Sequence, residues 1–314
     1  MKRRQFIVQV AAAAVAGMTA RSAGLFASET PPQVALTFDD PNLNVAPRLT
    51  PDERNTAILK TLAEFGKLQA ALFVCGQRVN SVAGRRLLRT WDEAGHILGN
   101  HSYSHLFLHA DEVTVQTYAE DILRAEALLE KFPRFSKIFR YPYLKEGNTR
   151  EKRNAVRTFL QEHGYRVGYA SIDASDWYID QRLRRRLAAR PKADTGGYRE
   201  YFVRHILDRA AFYDDLAKQV IGRGVKHTLV LHHNLLNALF LGDLLHALKG
   251  KGWQLINAQE AYTDPVFSMQ PDIVPAGESI IWALAKETGK FDSVLRYPGE
   301  DGAYLKDEMG RLGL

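Results

Sequence analysis

Val34-Ala35-Leu36-Thr37-Phe38-Asp39-Asp40 is an apolar run that ends on two acids. Its first five residues read as a strand, and the turn-rich stretch from Pro41 to Arg48 stops it. Thr50-Pro51-Asp52-Glu53 then carries the signals of a helix start. Thr50 suits the N-cap, Pro51 the first turn, and Glu53 can close a capping box. This helix is expected to reach Phe65 and stop near Gly66. The same unit recurs along the chain. Strands at 70–74, 138–140, 166–172, 228–232 and 253–256 alternate with helices at 81–94, 111–131, 150–163 and 238–249, and 97–100 leads into a histidine cluster. Strands joined by crossover helices run parallel. About seven such units predict an α/β fold, a distorted, closed or nearly closed (β/α) barrel. An open doubly wound sheet is the alternative, but the sequence has no glycine-rich phosphate loop.

Two stretches exceed what a barrel needs: a mainly helical insertion at 178–227 and a C-terminal extension at 266–314 with one helical stretch at 278–287. The barrel itself is expected over 28–265. Residues 1–27 read as a twin-arginine-like signal peptide. Lys2-Arg3-Arg4 precedes a short Ala/Gly-rich apolar stretch, too short for a membrane span. The expectation is an exported protein, periplasmic or secreted, without stable membrane insertion. The formal charge of +6 shrinks once this leader is set aside. Its four cations and no acids leave 38 basic against 36 acidic residues, a balance of +2. That is no footprint for nucleic acid. The basic run Arg182 to Arg186 reads as a solvated helix face or a clasp for neighbouring acids. Cys75 is the only cysteine, inside an apolar run, and reads as a buried thiol.

The polar clusters fall at the expected C-terminal ends of strands, where barrels place their chemistry. Asp39 and Asp40 are adjacent, so they share a face only if the chain turns, and Pro41-Asn42 supplies a turn. His101-Ser102-Tyr103-Ser104-His105 carries two imidazoles at i, i+4, a spacing that joins them on a helical turn. A carboxylate and two imidazoles close a three-ligand metal site with an open position, and the second carboxylate is then free to act as a base. Zinc suits neutral imidazole; mixed N/O ligation also admits cobalt, nickel or manganese.

Five ordered motifs carry a resemblance. They are Thr37-Phe38-Asp39-Asp40; Gly95 to Asn100 followed by His101 to His105; Arg140-Tyr141-Pro142-Tyr143; Asp173-Ala174-Ser175-Asp176-Trp177; and Leu231-His232-His233. With them the chain resembles the polysaccharide deacetylase family, the NodB-homology or carbohydrate esterase 4 group. The resemblance implies a distorted (β/α) barrel and a divalent metal held by Asp40, His101 and His105. It implies Asp39 as general base, paired with Arg140, and the Tyr143 backbone N–H as an oxyanion donor. It implies a general acid histidine oriented by Asp176, and Trp177 and Leu231 as walls of the acetyl pocket. Leu231 and His233 alternate on one strand face, so His233 is expected to be the acid and His232 to face away.

The implied activity is hydrolytic removal of acetyl groups from N-acetylated amino sugars in a poly- or oligosaccharide such as peptidoglycan or chitin. The alternatives are an O-acetyl, xylan-type esterase and a barrel that binds carbohydrate without chemistry. The sequence departs from the family pattern in three places. Pro41 and Leu144 stand where glycine is usual, and Asn234 stands where aspartate is common.

Overall fold

The computed structural model describes residues 30–295 and 302–314, so the expected leader at 1–27 lies outside the described residues. In chain order the strands are β1 (Gln33–Asp39), β2 (Ala71–Val74), β3 (Ile97–Asn100), β4 (Phe135–Phe139), β5 (Lys145–Gly147), β6 (Arg166–Val167), β7 (Lys226–His232), β8 (Gln254–Leu255) and β9 (Ala276–Gly277). The helices are α1 (Pro51–Glu64), α2 (Gly76–Val79), α3 (Val82–Glu93), α4 (Val115–Leu129), α5 (Arg150–Glu162), α6 (Asp176–Ala189), α7 (Gly196–Ile221), α8 (Leu235–Gly250), α9 (Ala258–Ala261), α10 (Ile280–Thr288) and α11 (Gly302–Arg311).

Seven strands form one parallel sheet in the order β6-β4-β3-β2-β1-β7, with β8 also on β1. After β6 the chain returns towards β7, where Ile172 bridges Leu229 in parallel. The sheet therefore curls into a distorted (β/α) barrel, as expected. Its central strands β1, β2, β3 and β7 are buried on both faces, which is why they read as continuous apolar runs. Phe73 fills the interior: a Cβ at Gly99 would come within 2.7 Å of its ring, so only glycine leaves it room.

The capping signals act as the sequence indicates. Thr50 accepts from the Glu53 N–H, and Glu53 reaches back to the Thr50 N–H at 2.8 Å. The fourth helix starts later than expected, at Val115, because Thr114 takes the N-cap and accepts from the Thr117 N–H. The insertion forms α6 and α7. The Arg182–Arg186 run lies on α6, where Arg184 faces Asp180 at 3.7 Å and Arg182 donates to the Leu314 backbone oxygen. The C-terminal extension is bound to the barrel: β9 pairs antiparallel with β5, and the Ser279 hydroxyl donates to the Ser171 carbonyl at 3.0 Å. Cys75 is buried, and burial pushes its thiol up to about 11, which leaves it unreactive at neutral pH. Among the described residues no helix is long and apolar enough to cross a membrane.

Candidate active site

A cleft of about 570 Å³ opens where β1, β3 and β7 end. Asp39 is the last residue of β1 and the register partner of His232 at the end of β7. At the next residue the chain turns sharply: Asp40 has φ 59°, and its N–H donates to the Phe73 carbonyl at 3.1 Å. Both carboxylates therefore reach the cleft.

His101 and His105 also reach it, but not from a helix. Residues 101–107 form a loop with Ser102 and His105 at positive φ, 62° and 59°. Side chains brace this loop. Asn100 Oδ1 accepts from the Ser102 N–H at 2.8 Å, Ser102 Oγ from the His105 N–H at 3.0 Å, and the Asp121 carboxylate from Tyr103 and Ser104. Such strained backbone persists only where its surroundings fix it, and it gathers at functional sites. The result puts the two rings 4.9 Å apart.

Asp40, His101 and His105 bring one ligand atom each to within 4.8 Å of one another. His101 Nδ1 lies 2.8 Å from the Arg140 carbonyl, which can only accept. Nδ1 therefore carries the proton, and Nε2 keeps its lone pair for the cleft. Burial depresses both imidazoles to about 3, so both are neutral at pH 7. Two buried atoms of the cluster, Asp40 Oδ1 and His105 Nδ1, have no hydrogen-bond partner among the described residues. Unpartnered buried lone pairs are costly. A carboxylate, two neutral imidazoles and spare lone pairs make a donor set that fits a divalent cation. Arg78, which the sequence reading passed over, lies on the same carboxylate, with Nη1 2.9 Å from Asp40 Oδ2.

Asp39 is held by Arg140, as the motifs led one to expect. Nη1 donates to Asp39 Oδ1 and to Thr37 Oγ1, each at 2.8 Å. Nε donates to the Gly168 carbonyl at 2.8 Å and Nη2 to the Tyr262 hydroxyl at 3.1 Å. The guanidinium is thus locked on four sides. Burial raises the Asp39 pKa, and the Arg140 charge opposes that rise.

The expected pairing of Asp176 with His233 is corrected by the strand's parity. Asp176 meets His232, with Nδ1 2.7 Å from Oδ1. The same carboxylate accepts from the His232 N–H at 2.8 Å, Asn234 Nδ2 at 3.0 Å and Asn237 Nδ2 at 2.7 Å. A carboxylate only accepts, so Nδ1 carries a proton and Nε2 is left for the cleft. Burial lowers the His232 pKa, but Asp176, with Asp39 and Asp40 behind it, more than reverses this and lifts it to about 9. His233 borders the cleft too, but its ring is fully buried and turned to Asn55 Oδ1 at 3.2 Å and to Trp91. Burial, with the Arg54 charge adding to it, drops it to about 3, so it holds no proton to give at neutral pH. Leu231 has the same strand parity as His233, and Val230 lines the cleft instead. Both faces of β7 are apolar in sequence, so alternation alone could not show which points inward.

Trp177, on the first turn of α6, lines the cleft and is 42% exposed. Tyr143 and Leu144 both have positive φ, 57° and 55°. Leu144 thus holds without glycine the backbone that glycine would adopt freely. The Tyr143 ring packs edge-on against His105 at 4.5 Å.

Residues 27–168 match the family model described as polysaccharide deacetylase. A curated relative, the peptidoglycan-N-acetylglucosamine deacetylase of Bacillus cereus, is 29% identical over 147 residues, 46% of this chain. The match spans 46% of that relative, so about half its length. Among solved structures, the chitin deacetylase of Colletotrichum lindemuthianum superposes with a TM-score of 0.51 at 17% identity, over 74% of this chain and 88% of that one. A carbohydrate esterase family 4 pseudoenzyme, as a mutant with restored enzymatic activity, gives 0.51 at 17% identity, over 74% of this chain and 67% of that one. These likenesses show a shared fold. One fold carrying both an enzyme and a pseudoenzyme leaves the chemistry to be argued from the site.

Proposed function

We propose that this chain, whose residues 27–168 match the polysaccharide deacetylase family model, is a hydrolase that removes acetyl groups from N-acetylated amino sugars of a peptidoglycan- or chitin-like saccharide. One observation carries this reading. Asp39 and His232, register partners on β1 and β7, flank a three-ligand cluster in one cleft, each held by a buried ion-pair partner.

Asp40, His101 and His105 would hold a divalent cation, which would supply Lewis acidity to the acetyl carbonyl and to the attacking water. Asp39 is the base that takes a proton from the attacking water. Burial raises its pKa, which suits that role, and Arg140 opposes the rise and holds the carboxylate in place. The Tyr143 N–H is a donor for the developing oxyanion. An amide nitrogen departs only when protonated, and the His232 imidazolium supplies that proton from Nε2. Asp176 keeps the ring charged and in one orientation. Trp177 and Val230 bound the space for the acetyl methyl. Zinc suits the two imidazoles, and cobalt, nickel or manganese suit the mixed set. A cell-wall substrate also requires the exported location for which residues 1–27 read as the signal.

The test is acetate release from chitooligosaccharides by the intact chain and by Asp39→Asn. The variant is expected to bind metal as the parent does and to lose turnover by at least about a hundredfold. Retained turnover would refute the base assignment.

A further inference from the structure

The Tyr143 wall of the cleft carries charged groups that neither the ligand cluster nor the acid–base pair uses. Lys145 on β5 and Glu278, just after β9, form an ion pair whose side chains are only 16% and 9% exposed, yet both line the cleft. A buried ion pair costs desolvation and is weak evidence for a stabilising role. The backbone around it is strained on both segments: Tyr143 and Leu144 at φ 57° and 55°, and Glu278 at 70°. The segments are pressed together. The Glu278 N–H donates to the Leu144 carbonyl at 2.8 Å, and a Cβ at Gly277 would collide with that same oxygen.

Next to the pair is an aromatic ledge. Tyr143 is 55% exposed and Phe107 41%, with their rings edge to face at 5.3 Å. His109 lies 5.4 Å from Phe107, and its Nε2 meets the Ala276 carbonyl of β9 at 3.0 Å. One short strand of the extension therefore anchors both the ledge and the ion pair.

We infer that Phe107, Tyr143, Lys145 and Glu278 form a subsite for the saccharide unit next to the acetylated one. Exposed rings offer a flat apolar surface to the C–H face of a pyranose. The ammonium and carboxylate offer a donor and an acceptor to its hydroxyls. The ligand is a neutral pyranose within an oligosaccharide. Glu278 lies outside residues 27–168, so this chain's own extension sets its preference for substrate length. The inference rests on the deacetylase reading above.

Two measurements test it and keep the two readings apart. In the first, chitotetraose is titrated by calorimetry into metal-loaded full-length chain carrying Asp39→Asn, with and without Glu278→Gln. In the second, kcat and KM for acetate release are compared on chitotetraose and on N-acetylglucosamine for Glu278→Gln and Lys145→Met. The expected result is about tenfold weaker tetramer binding and an equal rise in KM, with a much smaller loss on the single sugar. Undiminished tetramer binding, or equal losses on both sugars, overturns the subsite, as does absence of tetramer binding by the Asp39→Asn parent. If the intact chain releases no acetate, the deacetylase reading fails and the titration alone decides the subsite. Phe107→Ala alters an exposed ring and should weaken tetramer binding too, which keeps the test open should the buried-pair variants not fold.

Discussion

Replacing Asp176 with asparagine isolates the charge that would make His232 the proposed acid. Asp176 is fully buried and accepts four hydrogen bonds, one of them from the His232 ring. Asparagine keeps the shape and removes the charge. The imidazole's rise to about 9, from 6.5, corresponds to about 3 kcal/mol of preference for the charged ring. Burial alone would drive the pKa the other way, so in Asp176→Asn the ring should titrate at or below the ordinary value. At pH 8 its protonated fraction then falls roughly thirtyfold. The assay is a pH profile of kcat alongside an NMR titration of the His232 ring. In the parent, activity should decline as pH rises through about 9; in the variant the decline should begin near or below pH 6.5. The same shift affects stability. A folded-state pKa above the unfolded one means that the pair's contribution is complete below about pH 6.5 and lost as pH rises through about 9. Asp176→Asn should abolish that alkaline loss in urea melts. A variant whose alkaline limb and ring titration match the parent's would refute this assignment of the acid.

Other outcomes follow from the same geometry. His232→Ala should lose at least about a hundredfold in kcat with a near-parental melting temperature. His233→Ala should keep kcat and lose about 1–3 kcal/mol of stability, because its ring is a buried, hydrogen-bonded core group. Arg140→Met leaves Asp39 buried without its ion-pair partner, and should cost about 3–5 kcal/mol in urea unfolding at neutral pH. Asp121→Asn disturbs the brace behind the histidine loop, and calorimetry should show zinc affinity about tenfold to a hundredfold weaker.

Much of this was legible in the chain because it rests on local signals. The Thr50 capping box, the alternation of strands and helices, and the candidate ligand and base residues at or just beyond strand ends are short-range patterns. What the sequence did not show depends on register or on contacts between distant segments. The face of β7 that points inward is set by its pairing with β1, and a strand apolar on both sides hides that parity, so His232 was read as facing away. The i, i+4 spacing of the histidines suggested a helical turn, but side-chain bonds from Asn100, Ser102 and Asp121 hold a loop there instead. Arg78 on Asp40, Tyr262 on Arg140 and Glu278 in the cleft wall all depend on contacts formed only once the barrel curls.

Acetate release is the most direct test of the proposed chemistry. The intact chain, loaded with zinc, would be offered chitooligosaccharides, peptidoglycan fragments and acetylated xylan, each with and without a chelator. Release from an N-acetylated amino sugar that the chelator abolishes is the predicted result. Release from xylan alone, or release that survives removal of the metal, would contradict it.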